Sequence, residues 1–284
     1  MNKKPTQYKL RSYNSEEKTL EESVMASLDC SDAAILPWLP FILQDFWEMG
    51  SDSDTIIHLI KKHLKSNPAK SKVLDLGCGK GAISVKTAKK LGCSCLGIDA
   101  ISEFIDFARL KANEYRVSHL CIFETGDIRK MINRPARYDI IISGAIGPVL
   151  GNYYETLTKL KLCLNETGII IIDDGYIGNK SRFTHPQMLK KSELLKQVDT
   201  TGMVLADEVT TDAKGKKNES YDAKYNNLEE RCLVLISMHP DKAGMFLNFL
   251  KKQRAEYNLL KSEITCSTMV FQRKTTTSTK AVFI

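Results

Sequence analysis

The sequence predicts a doubly wound α/β sheet of seven strands, and three observations carry that expectation. Short apolar runs recur between stretches of helical spacing, beginning at Val73 and ending near Gln272. The first run, Val73-Leu74-Asp75-Leu76, passes straight into Gly77, Gly79 and Gly81 and then into helical spacing from Ala82. The fifth holds four consecutive isoleucines, Ile169 to Ile172, as suits a strand covered on both faces of a parallel sheet.

In chain order, residues 1–20 are polar and expected to be mobile or lightly docked. Helices are expected over 21–28 and 37–49. The second is apolar nearly all round, with Trp38, Leu39, Phe41, Ile42, Leu43, Phe46 and Trp47, so it either lies within a core or covers a ligand pocket. An amphipathic helix over 55–64 is broken by Ser66-Asn67-Pro68. After the glycine turn, helix 82–91 ends at Gly92, a good left-handed cap, and strand 93–98 runs into Asp99. Ser102 reads as the N-cap of a helix to about residue 116. Glu124-Thr125-Gly126-Asp127-Ile128 closes a third strand, and 138–144 forms a fourth. Asn152 with Glu155 resembles a capping box opening a helix to 164. Strand 169–172 is followed by a helix over 186–198 and a sixth strand over 203–210. Residues 212–227, around Lys214-Gly215-Lys216-Lys217-Asn218, read as a flexible loop. Helices over 228–237 and 241–262 precede the last strand, 264–272, and the tail 274–284 is expected to be disordered.

Composition narrows the setting. A chain of 284 residues can bury a proper core, and it contains no apolar run approaching a membrane span. Its polar N-terminus leads into no signal-like apolar stretch, so the cytoplasm is the expected compartment. Eight cysteines without a Cys-x-x-Cys pair suggest reduced core thiols, and no metal site is expected. The net charge of +7 invites a nucleic-acid reading, but 21–54 carries eight acids and no Lys or Arg. Lys86, Lys89 and Lys90 fit a solvated helix face, and no phosphate-binding stripe is evident.

A strand, a glycine turn and a helix in that order bring bare backbone against a ligand, most simply a nucleoside. Gly77-x-Gly79-x-x-Ala82 fits the dinucleotide fingerprint, and Asp99, about twenty residues on, could accept ribose hydroxyls for either kind of cofactor. Asp75-x-Gly77-x-Gly79-x-Gly81, Gly126-Asp127 at the third strand and Tyr138-Asp139 before the apolar fourth strand decide between them. In that order they resemble the motifs of class I, Rossmann-like S-adenosylmethionine-dependent methyltransferases, over roughly residues 71–176.

The resemblance implies a sheet order 3-2-1-4-5-7-6 with an antiparallel last strand. It implies an N-terminal helical lid (1–65) and a donor-binding domain (66–273); the helical stretch 212–262 is an insertion beyond the family's minimal fold, and 274–284 reads as a flexible tail. It also implies S-adenosylmethionine as methyl donor. Asp75 would brace the loop and orient the donor's amino-acid end, with Gly77, Cys78, Gly79 and Gly81 lining it. Asp99 would take the ribose hydroxyls, with Ala100 and Ile101 beside the adenine, while Gly126, Asp127 and Ile128 meet the adenine from the third strand. Ser143 and Gly144 would lie near the methionyl part.

Ser143-Gly144-Ala145-Ile146-Gly147-Pro148 differs from the Asn/Asp-Pro-Pro-aromatic segment of adenine and amide methyltransferases, and lacks the Pro-Cys of the cytosine-C5 enzymes. The expected partner is therefore a small-molecule acceptor, with membrane and nucleic acid disfavoured and a homodimer left open. Methyl transfer is an in-line displacement that needs chiefly positioning, with no covalent intermediate. Acid/base candidates gather after the fifth strand: Asp173, Asp174, Tyr176 and His185, with Gly175 read as a sharp turn swinging Tyr176 toward the acceptor and at most one of the two acids facing the pocket. An RNA or protein methyltransferase, a non-catalytic donor-binding protein and a nicotinamide-dependent reductase are the competing readings.

Overall fold

The computed structural model describes residues 18–210 and 214–274, and side chains for 18–210 and 220–274. Expectations for 1–17 and for most of the tail lie outside the described residues. The chain runs α1 (Leu20–Ser27), a 3-10 turn (Ala33–Trp38), α2 (Leu39–Ile42), α3 (Ser53–His63), β1 (Lys72–Leu76), α4 (Ala82–Leu91), β2 (Ser94–Asp99) and α5 (Ser102–Glu114). It continues through β3 (Cys121–Thr125), α6 (Ile128–Met131), β4 (Tyr138–Gly144), α7 (Tyr153–Cys163), β5 (Leu164–Ile177) and α8 (Lys191–Thr200). The last third is β6 (Met203–Thr210), α9 (Lys214–Met238), α10 (Ala243–Ser262) and β7 (Ile264–Arg273).

The seven strands are ordered β3-β2-β1-β4-β5-β7-β6. The first five are parallel, and β7 inserts antiparallel between β5 and β6. Helices cover both faces, giving two apolar layers. Leu74, Ile141, Ile170 and Phe271 belong to one, and Val73, Ile140, Ile169 and Val270 to the other. Alternation along each strand explains the split, and it is why the isoleucine run is uninterrupted.

Several local expectations are corrected. Residues 37–49 are not one helix: Pro37 and Pro40 confine the segment to the 3-10 turn and the single turn α2, followed by irregular chain. Ser102 is the first residue of α5, and Ile101 is its N-cap. The helix expected from 186 begins at Lys191. Strand β5 runs past the isoleucines to Ile177, so Gly175 and Tyr176 pair with Cys266 and Thr265 and there is no turn at Gly175. The largest correction is α9, which is helical from Lys214 through most of the supposed loop. Its register was present in the sequence: Tyr221, Tyr225, Leu228, Cys232 and Leu235 recur at four- and three-residue steps. The surrounding Lys, Asn and Asp residues obscured it.

That stripe makes a third core. Ile35, Leu39 and Ile42 pack with Tyr225, Leu228, Cys232, Phe246 and Leu250. The N-terminal segment and the α9–α10 insertion thus support one another above the sheet. Arg231 Nε and Nη2 donate to Asp45 at 2.7 and 2.9 Å, and Gln253 Nε2 donates to the Leu28 carbonyl at 3.0 Å. All eight cysteines are free thiols. Among the described residues no helix is long and apolar enough to cross a membrane.

Candidate active site

The C-terminal ends of β1, β2, β4 and β5 open into a cavity of about 2000 Å³, overhung by the N-terminal segment, α9 and α10. Single drug-sized ligands occupy roughly 300–1,000 Å³. The space suits two ligands side by side.

One end is built by the glycine turn. Gly77, Gly79 and Gly81 all have positive φ (68°, 52° and 74°). A Cβ at Gly79 would strike the Met49 methyl, and one at Gly77 would strike Ile146. Gly81 is different: its Cβ would meet Ala108 at 2.6 Å and the Phe123 ring at 2.9 Å. It does not line the cavity, so its smallness serves helix packing. The turn does not offer a row of free N–H groups. Those of Gly77 and Cys78 donate to the Ile98 carbonyl, that of Gly79 to Asp99 Oδ2 at 2.8 Å, and that of Gly81 to the Cys78 carbonyl. A diphosphate cradle would need such groups free, which weighs against the dinucleotide alternative.

Asp99 sits at the cavity rim with Ala100 and Ile101. Burial pushes its carboxyl above the usual range, while backbone N–H groups of Ile101, Gly79 and Ala100 oppose that rise. Gly126, Asp127 and Ile128 line the same end. Burial opposes charge on Asp127, but Arg129 outweighs it through bonds of 2.7 to 3.1 Å and holds that carboxyl below the usual range. Asp127 also caps α6 through the Arg129 N–H at 2.9 Å. The cavity lining includes Ser143 and Gly144 as well.

Besides Gly81, two further expected donor contacts move. Asp75 is 1 % exposed and does not line the cavity; it accepts from the Ser84 hydroxyl at 2.7 Å and so anchors the first turn of α4. The Cys78 side chain belongs to the core, leaving its backbone at the cavity.

At the other end, both Asp173 and Asp174 reach the cavity lining, against the expectation of one at most. Burial lifts Asp173 to about 6, aided by the charge of Asp174. Asp174 is also raised by burial, but it is held by the Tyr153 hydroxyl at 2.9 Å and the Gly175 N–H at 2.7 Å. Tyr176 is 5 % exposed and absent from the lining. Its hydroxyl donates to Glu208 at 2.7 Å and accepts from Lys191 at 3.2 Å, because the continued strand turns it away from the acids. His185 does line the cavity; its Nδ1 accepts from the Gln187 and Met188 N–H groups at 3.2 Å.

Sequence reasoning missed the residues that tie roof to floor. Lys80 Nζ donates to the Leu43 carbonyl at 2.6 Å, and Trp47 Nε1 donates to the Lys80 carbonyl at 3.0 Å. Nothing in their local pattern marks a partner more than thirty residues away. Trp47→Phe removes one neutral hydrogen bond worth about 0.5–1.5 kcal/mol. Hydrogen exchange over residues 39–49 should accelerate by roughly two- to tenfold. Unchanged exchange there would mean that the roof is held by its other contacts.

The family described as Methyltransferase domain matches residues 67–232, more than half of the chain. The chain belongs to that family, the class I S-adenosylmethionine-dependent methyltransferases. A ribosomal protein L11 methyltransferase of Thermosipho melanesiensis is 34% identical over 125 residues, 43% of either protein. The chain spans less than half the length of the curated relatives it matches. Among solved structures, a methyltransferase of Geobacter sulfurreducens in complex with S-adenosylhomocysteine has a TM-score of 0.68 at 19% identity, covering 83% of this chain and 97% of its own. The [4+2]-cyclase SpnF has a TM-score of 0.63 at 14% identity, covering 91% and 97%. These two likenesses concern the fold, and the second is a reminder that fold and reaction are separate matters.

Proposed function

We propose that this methyltransferase moves the methyl group of S-adenosylmethionine to a small-molecule acceptor by direct in-line displacement. The observation that carries this reading is the roofed two-ended cavity. The glycine turn, Asp99 and the Gly126–Ile128 rim form the donor end, and Asp173, Asp174 and His185 mark the acceptor end. Donor and site suit each other: the backbone of Gly77 and Gly79 lines the cavity, and Asp99 beside it presents a carboxylate where ribose hydroxyls need an acceptor. The donor supplies an activated methyl group, so the chain's task is to orient, to exclude water and to handle the acceptor's proton.

The N-terminal segment acts as a lid in this reading, with α9 and α10 as its support. A roof of this kind favours a compact acceptor over a folded protein or RNA. The ribosomal protein relative argues the other way, but its likeness extends over less than half of either chain. The test uses methyl-labelled donor with two pools from the same cells, metabolites and ribosomal proteins. Label is expected in the metabolite pool. Label confined to ribosomal protein would overturn the small-molecule reading, and label in neither pool would favour a non-catalytic donor-binding protein.

A further inference from the structure

The acceptor end holds a charged group that no ion pair explains. Lys224 projects from α9 into the cavity and is half-buried. Among the described residues it forms no hydrogen bond or ion pair, and its Nζ lies 6.0 Å from the centroid of the Tyr221 ring. Asp173, which also lines the cavity, has no ion-pair partner among the described residues. A lysine and a carboxylate that share a cavity without joining in a salt bridge leave space between them, and desolvating either is costly unless a ligand compensates. Groups facing Lys224 come from three other elements: Glu48 before α3, Asp173 on β5 and Cys266 on β7. Glu48 is already engaged by Lys86 at 2.8 Å.

We infer that Lys224 is the residue that receives the acceptor's proton and then holds its anion, and that the acceptor is an aromatic hydroxyl compound. This rests on the methyl-transfer reading above. Three considerations select that class. A cationic side chain suits a nucleophile that becomes negative, whereas an ammonium acceptor would be repelled by it. Tyr221, one turn from Lys224 on the same helix, stacks on Tyr257 with centroids 5.2 Å apart, and both line the cavity, giving a planar wall beside the lysine. Acidity makes the third: a phenol such as tyrosine ionises at about 10, within the range an amine can reach, while an aliphatic alcohol is far less acidic. Burial lowers Lys224 from its ordinary value, with Glu48, Asp173 and Cys266 opposing, which enlarges the neutral, proton-accepting fraction.

The step balances without another reactant. The hydroxyl proton passes to the neutral Lys224 amine, and the resulting ammonium pairs with the phenolate oxygen. An oxygen lone pair attacks the sulfonium methyl carbon; the O–C bond forms as the S–C bond breaks with its electrons left on sulfur. The products are an aryl methyl ether and S-adenosylhomocysteine, and Lys224 returns its proton to water.

The experiment titrates 4-nitrophenol into full-length protein saturated with S-adenosylhomocysteine at pH 6, where the free probe is mainly neutral and colourless. Binding of the yellow phenolate form is expected. Lys224→Met should weaken that signal by roughly tenfold or more, while Lys224→Arg, which keeps the cation, should preserve it. Calorimetry on the same samples reads S-adenosylhomocysteine affinity, expected to be equal in all three proteins. A probe that binds only as neutral phenol, or not at all, overturns the inference, as does an undiminished phenolate signal in a folded Lys224→Met protein. Absence of S-adenosylhomocysteine binding would instead overturn the methyl-transfer reading.

Discussion

Asp99→Ala is expected to weaken S-adenosylhomocysteine binding by about 1.5–3 kcal/mol, roughly ten- to a hundredfold. The reason is that one carboxylate serves two purposes. Oδ2 accepts from the Gly79 N–H at 2.8 Å and Oδ1 from the Ile101 N–H at 3.0 Å, so it joins the glycine turn to the end of β2. It also lies at the cavity rim, where carboxylate acceptors remain for a ribose. Alanine removes both the brace and the acceptor. Wild-type affinity should be micromolar, roughly −8 kcal/mol, and Asp99→Asn should fall between the two because one acceptor oxygen survives. Calorimetry decides the matter. Tight NADH binding with no heat from S-adenosylhomocysteine would exclude the donor assignment. Equal affinity in wild type and Asp99→Ala would place the ribose elsewhere.

Asp75→Asn should change how stability depends on pH while leaving donor affinity within about twofold. Burial lifts Asp75 to about 6, against the pull of the Ser84 hydroxyl and backbone. Between an unfolded value of 3.8 and a folded value of about 6, the native state holds a proton that the unfolded chain has released. Stability from this group is therefore full below about pH 4, falls as pH rises toward 6 and stays low above that. Asparagine has no such proton. The stability difference between variant and wild type should shift in favour of the variant by about 2–3 kcal/mol between pH 4 and pH 7. Denaturant unfolding at both values measures it, and any constant packing penalty from the amide cancels in the comparison. A difference that does not move with pH would mean that Asp75 is ionised in the fold at the ordinary value. A large loss of S-adenosylhomocysteine binding would return Asp75 to the donor contacts from which its burial removes it.

Local order was readable where composition and spacing agreed. The Asn152–Glu155 capping box forms with both of its bonds, and Gly92 caps α4 in the left-handed conformation. Errors arose where the deciding contact was remote. Tyr176 was placed beside the acceptor because four isoleucines before two acids suggest a strand ending. Pairing of β5 with β7, almost a hundred residues later, extends that strand and turns the side chain toward Glu208. The stretch preceding Leu228 was read as loop because its polar residues dominate any window. Burial of Tyr225, with Leu228 and Cys232, against Ile35, Leu39 and Ile42 makes it a helix, and it carries Lys224 into the cavity.

What the sequence determined alone was the local order of the first half of the sheet: strand, glycine turn, helix and the acidic strand end at Asp99. These lie close along the chain, and glycine spacing, apolar runs and caps express local backbone requirements. Only tertiary structure decided the roof and the part of the cavity lined by Asp173, Asp174, His185 and Lys224. There the polar groups Lys80, Asp173 and Lys224 come from three separate parts of the chain, and sheet pairing and helix packing carry them to one cavity. No window of sequence contains both Lys80 and the Leu43 carbonyl it binds, or both Lys224 and the Asp173 carboxylate that shares its cavity.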